Sequence, residues 1–553
     1  MERANPIVTP LLTDMYQLTM AYAYWKAGRH NEPSVFDLFF RKCPFKGQFC
    51  VFAGLSEVLQ FCSTFKFKAE EIEYLRKTME CDEGYFEYLS ALDCSDVKIY
   101  ALQEGTVCFP RVPLLRVVGP LGICQLLETT LLNLVNFPSL VATQAARLKL
   151  AAGPGKTLLE FGLRRAQGPN GGLSASRYAY LGGFHATSNV QAGFNHGISV
   201  KGTHAHSFVM SYTSFDEVEQ RMLAPASGGE PVDFVALVLE QRERLGFTET
   251  NEGELAAFTA YALSFPNGFL ALVDTYDTLT SGNRNFAAVA FALRALGYRP
   301  VGVRLDSGDL AALSRGVKAA WRELAETNGA EWLTECQVVA SNDINEKSLL
   351  QLNEAGHQID VFGIGTHLAT CQQQPALGCV YKLAALRGTA RMKLSQELGK
   401  ASVPGPKRAY RLYGADGRAR ADLLTEEGEP APEAGREVIC VDPADPENQS
   451  PVVPSAVKDI STLVFDGQPV GVDSHGSAAD TLQAARARLE DDMGTFESAT
   501  FGLDPGHANK YDVALSAQLS ASMCHLRQQL LGVADLNSPV AKKLKSIAEQ
   551  KSH

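Results

Sequence analysis

The sequence predicts an α/β protein built on a parallel sheet that closes into a barrel, with a smaller α+β region ahead of it. Three features carry this reading. From about Thr157 onward, strand-like apolar runs alternate with amphipathic helical ones. The later runs recur every ~30 residues, the length of a βα unit, and right-handed crossovers make such units a parallel sheet. Thr157–Phe161, Ile198–Lys201, Leu270–Val273, Val301–Leu305, Gln337–Ala340 and Asp360–Phe362 each run into polar or glycine-rich residues. That recurrence favours a barrel over an open sheet, because the C-terminal ends of barrel strands carry the chemistry.

Taken in order, Thr13 is placed to cap a helix through Met15, Leu18, Tyr22 and Trp25, which Gly28 stops. Val35–Arg41 is strand-like in its β-branched and aromatic content and closes on a basic turn through Lys42 and Lys46. Helices are expected around Ser56–Phe65, Ala69–Met79 and Tyr85–Leu92, then strands at Val97–Leu102, Thr106–Phe109 and Leu114–Val118. Pro120–Gly153 carries a helical pattern that Pro138 should break. Asn285–Leu296 and Leu310–Leu324 are amphipathic and fill gaps between barrel strands. Ala384–Gln449 is rich in Gly, Pro and charge, with strand candidates at Ala409–Leu412 and Glu437–Val441 and a mobile loop at Glu427–Ala434. Helices are expected again at Thr481–Leu489 and Val513–Leu531, and a solvated tail at Lys542–Lys551.

At 553 residues the chain exceeds one simple core, so more than one domain is expected. A net charge of −11 argues against general nucleic-acid or membrane-surface binding, while leaving room for a local basic pocket. No signal-peptide pattern opens the sequence and no run is apolar enough to span a bilayer, which makes the cytosol the expected compartment. The 12 cysteines are scattered without CxxC or zinc spacing, as expected of reduced, buried, small hydrophobes.

The densest chemistry lies in Val301–Leu310 (VGVRLDSGDL), where Arg304 and Asp306 sit at the junction of strand and loop. They read either as a ligand-binding pair or as a structural ion pair. Gly363-Ile364-Gly365-Thr366 is a turn whose glycines let backbone N–H groups approach an anion, with a ligand-free tight turn as the alternative. Ser341-Asn342-Asp343, one unit earlier, adds hydroxyl and amide donors to the same rim. Arg164-Arg165 beside Glu160 makes a cationic fork suited to a carboxylate or phosphate. His204-Ala205-His206-Ser207 is the most ambiguous cluster. Its rings share one face of an extended segment, so they read as metal ligands, as a nucleophile or base, or as ordinary polar histidines.

With these residues in hand, the chain resembles the nicotinate phosphoribosyltransferases of the vertebrate type, among the type II phosphoribosyltransferases. The matching pieces are Pro10–Gln17 (PLLTDMYQ), Phe39–Phe45 (FFRKCPF), Leu159–Gly168 (LEFGLRRAQG), Gly202–Val209 (GTHAHSFV), Leu272–Tyr276 (LVDTY), Val303–Leu310 (VRLDSGDL), Gly363–Thr366 (GIGT) and Val380–Leu383 (VYKL). Residues beyond about 400 add little to the match. The resemblance implies an irregular parallel α/β barrel with a second α+β domain formed by the N- and C-terminal segments, divided at 1–150, 151–383 and 384–553. It further implies a head-to-tail homodimer with shared active sites. The implied reaction joins nicotinate to 5-phosphoribosyl 1-diphosphate, giving nicotinate mononucleotide and pyrophosphate on the route to NAD. ATP hydrolysis would be coupled through a phosphohistidine, and Mg²⁺ (or Mn²⁺) would accompany the diphosphate.

Residue by residue, the resemblance makes His206 the phosphorylated histidine and, with Arg304 and Asp306, the catalytic centre. Tyr16, Thr203, Arg164 and Arg304 match nicotinate or substrate-anion contacts, Tyr16 reaching the partner subunit's site. Gly363, Gly365 and Thr366 match the 5-phosphate cradle, Ser341 and Asn342 stand with them on the phosphoribosyl diphosphate side, and Asp306 is placed near ribose and metal. His204 has no clear counterpart. The implied alternatives are a nicotinamide phosphoribosyltransferase, or a non-catalytic metabolite-binding or signalling protein on the same scaffold. The nicotinamide enzyme carries an acidic side chain at the position that aligns with Ser188, where a carboxylate would repel nicotinate.

Overall fold

The computed structural model describes residues 5–394, 402–471, 481–503 and 511–531. The Lys542–Lys551 tail therefore lies outside the described residues. The chain divides into two compact units, Ala145–Gln372 and a second one assembled from Met1–Gln144 and Gln373–His553.

The Ala145–Gln372 unit is built on an all-parallel sheet in the order Leu270–Leu272, Gly302–Leu305, Gln337–Ala340, Val361–Ile364, Thr157–Glu160, Ala186–Thr187. Its strands are short and largely buried, as expected where helices cover the sheet. Gly302 shows how close the backbones lie. Its φ is +150°, and a Cβ there would stand 1.9 Å from the Gln337 carbonyl oxygen. The expected strand at Ile198–Lys201 reduces to one parallel bridge, Thr187 to Val200. Among the described residues the backbone ladder runs from that bridge to Leu270–Leu272 and does not join the two edges. A side chain spans the gap instead: Leu272 N–H donates to His204 Nε2 at 3.3 Å. The parallel sheet is present, and among the described residues no continuous ladder closes it into the barrel that the sequence predicts. Because the strands are parallel, the ends at Thr187, Glu160, Ile364, Ala340, Leu305 and Leu272 share one rim.

Of the two helices expected to be amphipathic, Leu310–Asn328 buries one face, whereas Asn283–Ala295 is buried nearly all round. Asn283–Ala295 buries most of its length, and Leu310–Asn328 is capped by Asp309, whose side chain accepts from Ala312 N.

The other unit holds two six-stranded sheets. One is antiparallel, ordered Thr389–Ala390, Val380–Leu386, Pro33–Phe39, Leu115–Pro120, Lys98–Ala101, Thr462–Asp466. The strand Val380–Leu386 pairs with Pro33–Phe39, so it belongs here and not with the parallel sheet, where the 383 division would have left most of it. The second sheet is made wholly from the C-terminal part, with Lys407–Tyr413 and Ala419–Glu426 at its centre.

Several local expectations change. Asp14, not Thr13, occupies the cap position of the Met15–Lys26 helix, and it makes no side-chain cap bond. Pro138 does not break its helix, which runs from Glu128 to Ala152. The carbonyl it frees is that of Leu134, one turn back, and Gly54 packs onto it so closely that a Cβ would lie 1.9 Å from that oxygen. Residues 512–515 are a strand paired with Ala419–Glu426, so the last helix begins at Ala517 rather than Val513. The acidic loop at Glu427 is pinned, with Glu427 bound to Arg116 at 2.7 Å and Glu429 accepting from Ser516 at 2.6 Å.

Candidate active site

The rim of the parallel sheet gathers a single polar cluster. Arg304, at the end of its strand, donates from Nε to Ser341 Oγ at 2.7 Å and from Nη2 to Asp306 Oδ1 at 3.2 Å. Ser341 Oγ in turn donates to Asp306 Oδ1 at 2.6 Å. The ion-pair reading is therefore correct as geometry, and the pair stands inside the cluster rather than apart from it. On the other side, Asp306 N donates to Asp274 Oδ2 at 2.9 Å, and Ser307 Oγ donates to the same oxygen at 2.5 Å. The Asp274 side chain is buried, and its Oδ1 has no hydrogen-bond partner among the described residues.

His206 faces this cluster from the start of the His206–Met210 helix. Its Nδ1 lies 3.1 Å from Thr275 Oγ1, and its Nε2 stands 3.9 Å from both Asp274 Oδ1 and Asp306 Oδ2. At that distance neither carboxylate is a hydrogen-bond partner, so Nε2 is left facing open space between two anions. The ring is 38% exposed, accessible to a ligand.

His204 behaves differently. It is buried among Phe208, Phe258 and Tyr261, its Nε2 accepts from Leu272 N, and burial pushes its pKa down to about 4. It is a neutral edge-tie of the sheet, and among the described residues no group of three or more His, Cys, Asp or Glu could hold a metal. The metal-pair alternative for the two histidines falls with it.

Glu160 turns inward. It accepts from Gly162 N, from Ser176 Oγ at 2.7 Å and from Thr187 Oγ1 at 2.5 Å, so it braces the rim and does not face the arginine fork. Arg164 is exposed, while Arg165, its neighbour, donates to Thr366 Oγ1 at 3.1 Å. The glycines of the Gly363–Thr366 turn have a packing reason: a Cβ on Gly363 would lie 2.5 Å from the Phe161 ring, and one on Gly365 would lie 3.1 Å from Phe161 O. Thr203 donates to the His204 carbonyl at 3.3 Å, and Asn342 is exposed. Tyr16 is in the other unit, on the first turn of its helix and 47% exposed.

Family profiles match residues 11–136 (nicotinate phosphoribosyltransferase N-terminal domain), 157–402 (nicotinate phosphoribosyltransferase family) and 406–523 (nicotinate phosphoribosyltransferase C-terminal domain). The chain belongs to the nicotinate phosphoribosyltransferase family. It is 51% identical over 470 residues to the nicotinate phosphoribosyltransferase of Dictyostelium discoideum, covering 84% of this chain and 80% of the relative. It is 50% identical over 444 residues to the human nicotinate phosphoribosyltransferase, covering 79% of this chain and 82% of that one. The crystal structure of human nicotinic acid phosphoribosyltransferase superposes with a TM-score of 0.83 at 43% identity, over 93% of this chain and 99% of that one. A nicotinate-nucleotide pyrophosphorylase from Pyrococcus furiosus, at 18% identity and a TM-score of 0.60, shares the fold.

Against that family background, the structure brings together His206, Arg304, Asp306 and Ser341, and separately Thr366 with Arg165. Sequence reasoning passed over Asp274, Thr275 and Ser307 as site residues. The signal was present, since Asp274-Thr275 ends a strand on the same rim. Phe161 was also missed. It is half-buried at the end of its strand, and the Arg304 guanidinium lies 5.7 Å from its ring centroid.

Proposed function

We propose that this chain is a nicotinate phosphoribosyltransferase, which transfers the phosphoribosyl group of 5-phosphoribosyl 1-diphosphate to the ring nitrogen of nicotinate. The observation that carries the reading is the convergence of His206, Asp274, Arg304, Asp306 and Ser341 on one rim, in a chain of this family. The pyridine nitrogen attacks C1 of the ribose, the N–C1 bond forms, the C1–O bond to diphosphate breaks, and pyrophosphate leaves. The transition state resembles an oxocarbenium ion, so the residues act by positioning and by charge. Arg304, aimed by Ser341 and Asp306, answers the nicotinate carboxylate beside the Phe161 ring. Thr366, Arg165 and the turn at Gly363 and Gly365 receive the 5-phosphate, with Arg164 and Asn342 on the open side. Thr203 lines the approach, and Tyr16 completes the site of the partner subunit in a head-to-tail homodimer.

ATP is the coupled co-substrate in this proposal. With the Nδ1 proton donated to Thr275, His206 Nε2 keeps a lone pair that attacks the γ-phosphorus; an N–P bond forms, the bridging P–O bond breaks and ADP leaves. Water later hydrolyses the phosphohistidine. Two carboxylates 3.9 Å from that nitrogen would repel a phosphoryl group, and the orphaned Asp274 Oδ1 suits a hard cation. Asp274 and Asp306 would hold Mg²⁺ (or Mn²⁺), which when bound neutralises the phosphate charge. The cysteines among the described residues are all free, consistent with the cytosol as the working compartment. No described helix is long and apolar enough to cross a membrane.

Product analysis with nicotinate and phosphoribosyl diphosphate, with and without ATP, tests the reading. Nicotinate mononucleotide is the expected product, and its absence under both conditions overturns the proposal. Labelled ATP should leave an acid-labile, base-stable label on the protein that His206→Ala abolishes; full labelling of the variant rejects His206 as the acceptor. Ser188, whose N–H donates to the Glu160 carbonyl, puts no carboxylate on the rim. Nicotinate should therefore win in competition, and a preference for nicotinamide of about tenfold, or about 1.4 kcal/mol, would reverse the assignment.

A further inference from the structure

Behind the site, on the helix Glu252–Ser264, sits a carboxyl group that the reaction above does not use. Glu254 is fully buried. Its Oε2 accepts from Ser281 Oγ at 2.6 Å and from Asn285 Nδ2 at 2.9 Å, while its Oε1 has no partner among the described residues. The Oδ1 of the same Asn285 is likewise buried and without a partner. An ionised carboxylate oxygen and an amide oxygen are both acceptors only, and each left bare costs about 1–3 kcal/mol. A neutral carboxylic acid would carry a proton on Oε1 available to an acceptor such as Asn285 Oδ1, while Asn285 Nδ2 donates to Oε2.

The pair reaches the site through one turn. Ser281 closes the turn Thr278–Gly282, which Asp277 caps through Leu279 N and Thr280 N. Gly282, the next residue, abuts the strand end so tightly that a Cβ would lie 2.0 Å from the Val273 carbonyl oxygen. Val273 is followed directly by Asp274 and Thr275, the two groups on either side of the His206 ring.

We propose that Glu254 is a positioning residue that works as a neutral acid: paired with Asn285, it holds the Thr278–Gly282 turn against Val273 and so fixes Asp274 and Thr275 about His206. The proposal rests on the activity proposed above only for its kinetic arm. Burial, opposed by the bonds from Ser281 and Asn285 and reinforced by the Asp274 and Asp277 charges, places the Glu254 pKa at about 7. Charges on the elements packed against its helix are turned elsewhere: Arg284 over the Phe247 ring, Arg242 to the Phe247 carbonyl, Arg244 to Asn328, Glu217 to Thr213, His206 to the site. Glu240, Glu243 and Asp216 are exposed.

Infrared difference spectra of the full-length wild type against Glu254→Gln, from about pH 5 to about pH 9, read the acid directly. A protonated carboxylic-acid C=O band present near neutrality and absent from the variant is expected; its absence from the wild type at about pH 6 overturns the proposal. In kinetics, Glu254→Gln mimics the neutral acid, so it should keep kcat within about threefold at pH about 6 and lose part of the wild-type decline above neutrality. Glu254→Ala should lose about tenfold or more in kcat with little change in KM for nicotinate. If Glu254→Gln is as impaired as Glu254→Ala at that pH, the charged carboxylate is what matters and the proposal fails. A wild type that turns over no nicotinate overturns the activity reading alone, because the infrared band does not depend on turnover.

Discussion

Arg304 donates from two different nitrogens to Ser341 and Asp306, a planar fork that a lysine ammonium cannot reproduce. Arg304→Lys should therefore keep the charge and lose the aim, lowering kcat/KM about 100-fold, or about 2.7 kcal/mol, with little change in Tm. Steady-state kinetics and a thermal melt on the same preparation check it; a loss below about threefold would show that charge alone suffices. The pair was legible in the sequence because strand periodicity and turn chemistry both fall within Val301–Leu310. Asp274 was legible in type but not in role, since the contact that matters, His206, comes from a distant segment. Gly363 belongs to the expected phosphate cradle; the Phe161 ring that also excludes a side chain there follows another strand, Thr157–Glu160, and no local pattern could show it. His204 and His206 look alike in sequence, and only the aromatic surroundings of the first separate them.

At the scale of elements, the helix that carries Glu254 makes stability depend on pH in a predictable direction. With the folded-state pKa raised to about 7 from 4.5, the folded state holds its proton where the unfolded chain has released it. The stabilising contribution is complete below the ordinary carboxylate range and is lost as pH rises toward and through 7. The penalty above neutrality is roughly 3 kcal/mol at most. Denaturant midpoints from about pH 4.5 to about pH 8 should fall more steeply for wild type than for Glu254→Gln; parallel curves would contradict it. Helices here were easy to read from periodicity, and their breaks were not. Pro138 should have ended its helix by local rules, but Gly54, far away in the chain, packs onto the carbonyl it frees. No local pattern separates the strand at Asp512–Leu515 from the helix after it, because its partner, Ala419–Glu426, lies far upstream.

For the whole molecule, the C-terminal part carried little of the family resemblance yet builds one six-stranded sheet and contributes the strand Thr462–Asp466 to the other within its unit. At its heart Arg411 is fully buried, bonded to Asp422 at 2.8 Å, to Asp492 at 3.0 Å and to the Val107 carbonyl at 2.7 Å. Arg411→Leu leaves two buried carboxylates facing each other and should cost about 3–5 kcal/mol of stability, read as a shift in the denaturant midpoint. A shift under about 1 kcal/mol would mean the site readily admits water or protons. Glu160 has a consequence of a different kind. Because it spends its oxygens on Gly162, Ser176 and Thr187, it leaves Arg164 and Arg165 without an ion-pair partner among the described residues, in a chain whose net charge is −11. A small positive mouth on an anionic body draws in anions by field and turns other anions away elsewhere, and mobile ions damp that field over about 8–10 Å. Added potassium chloride should accordingly lower kcat/KM for phosphoribosyl diphosphate while leaving kcat nearly constant, and Arg164→Gln should flatten that ionic-strength slope.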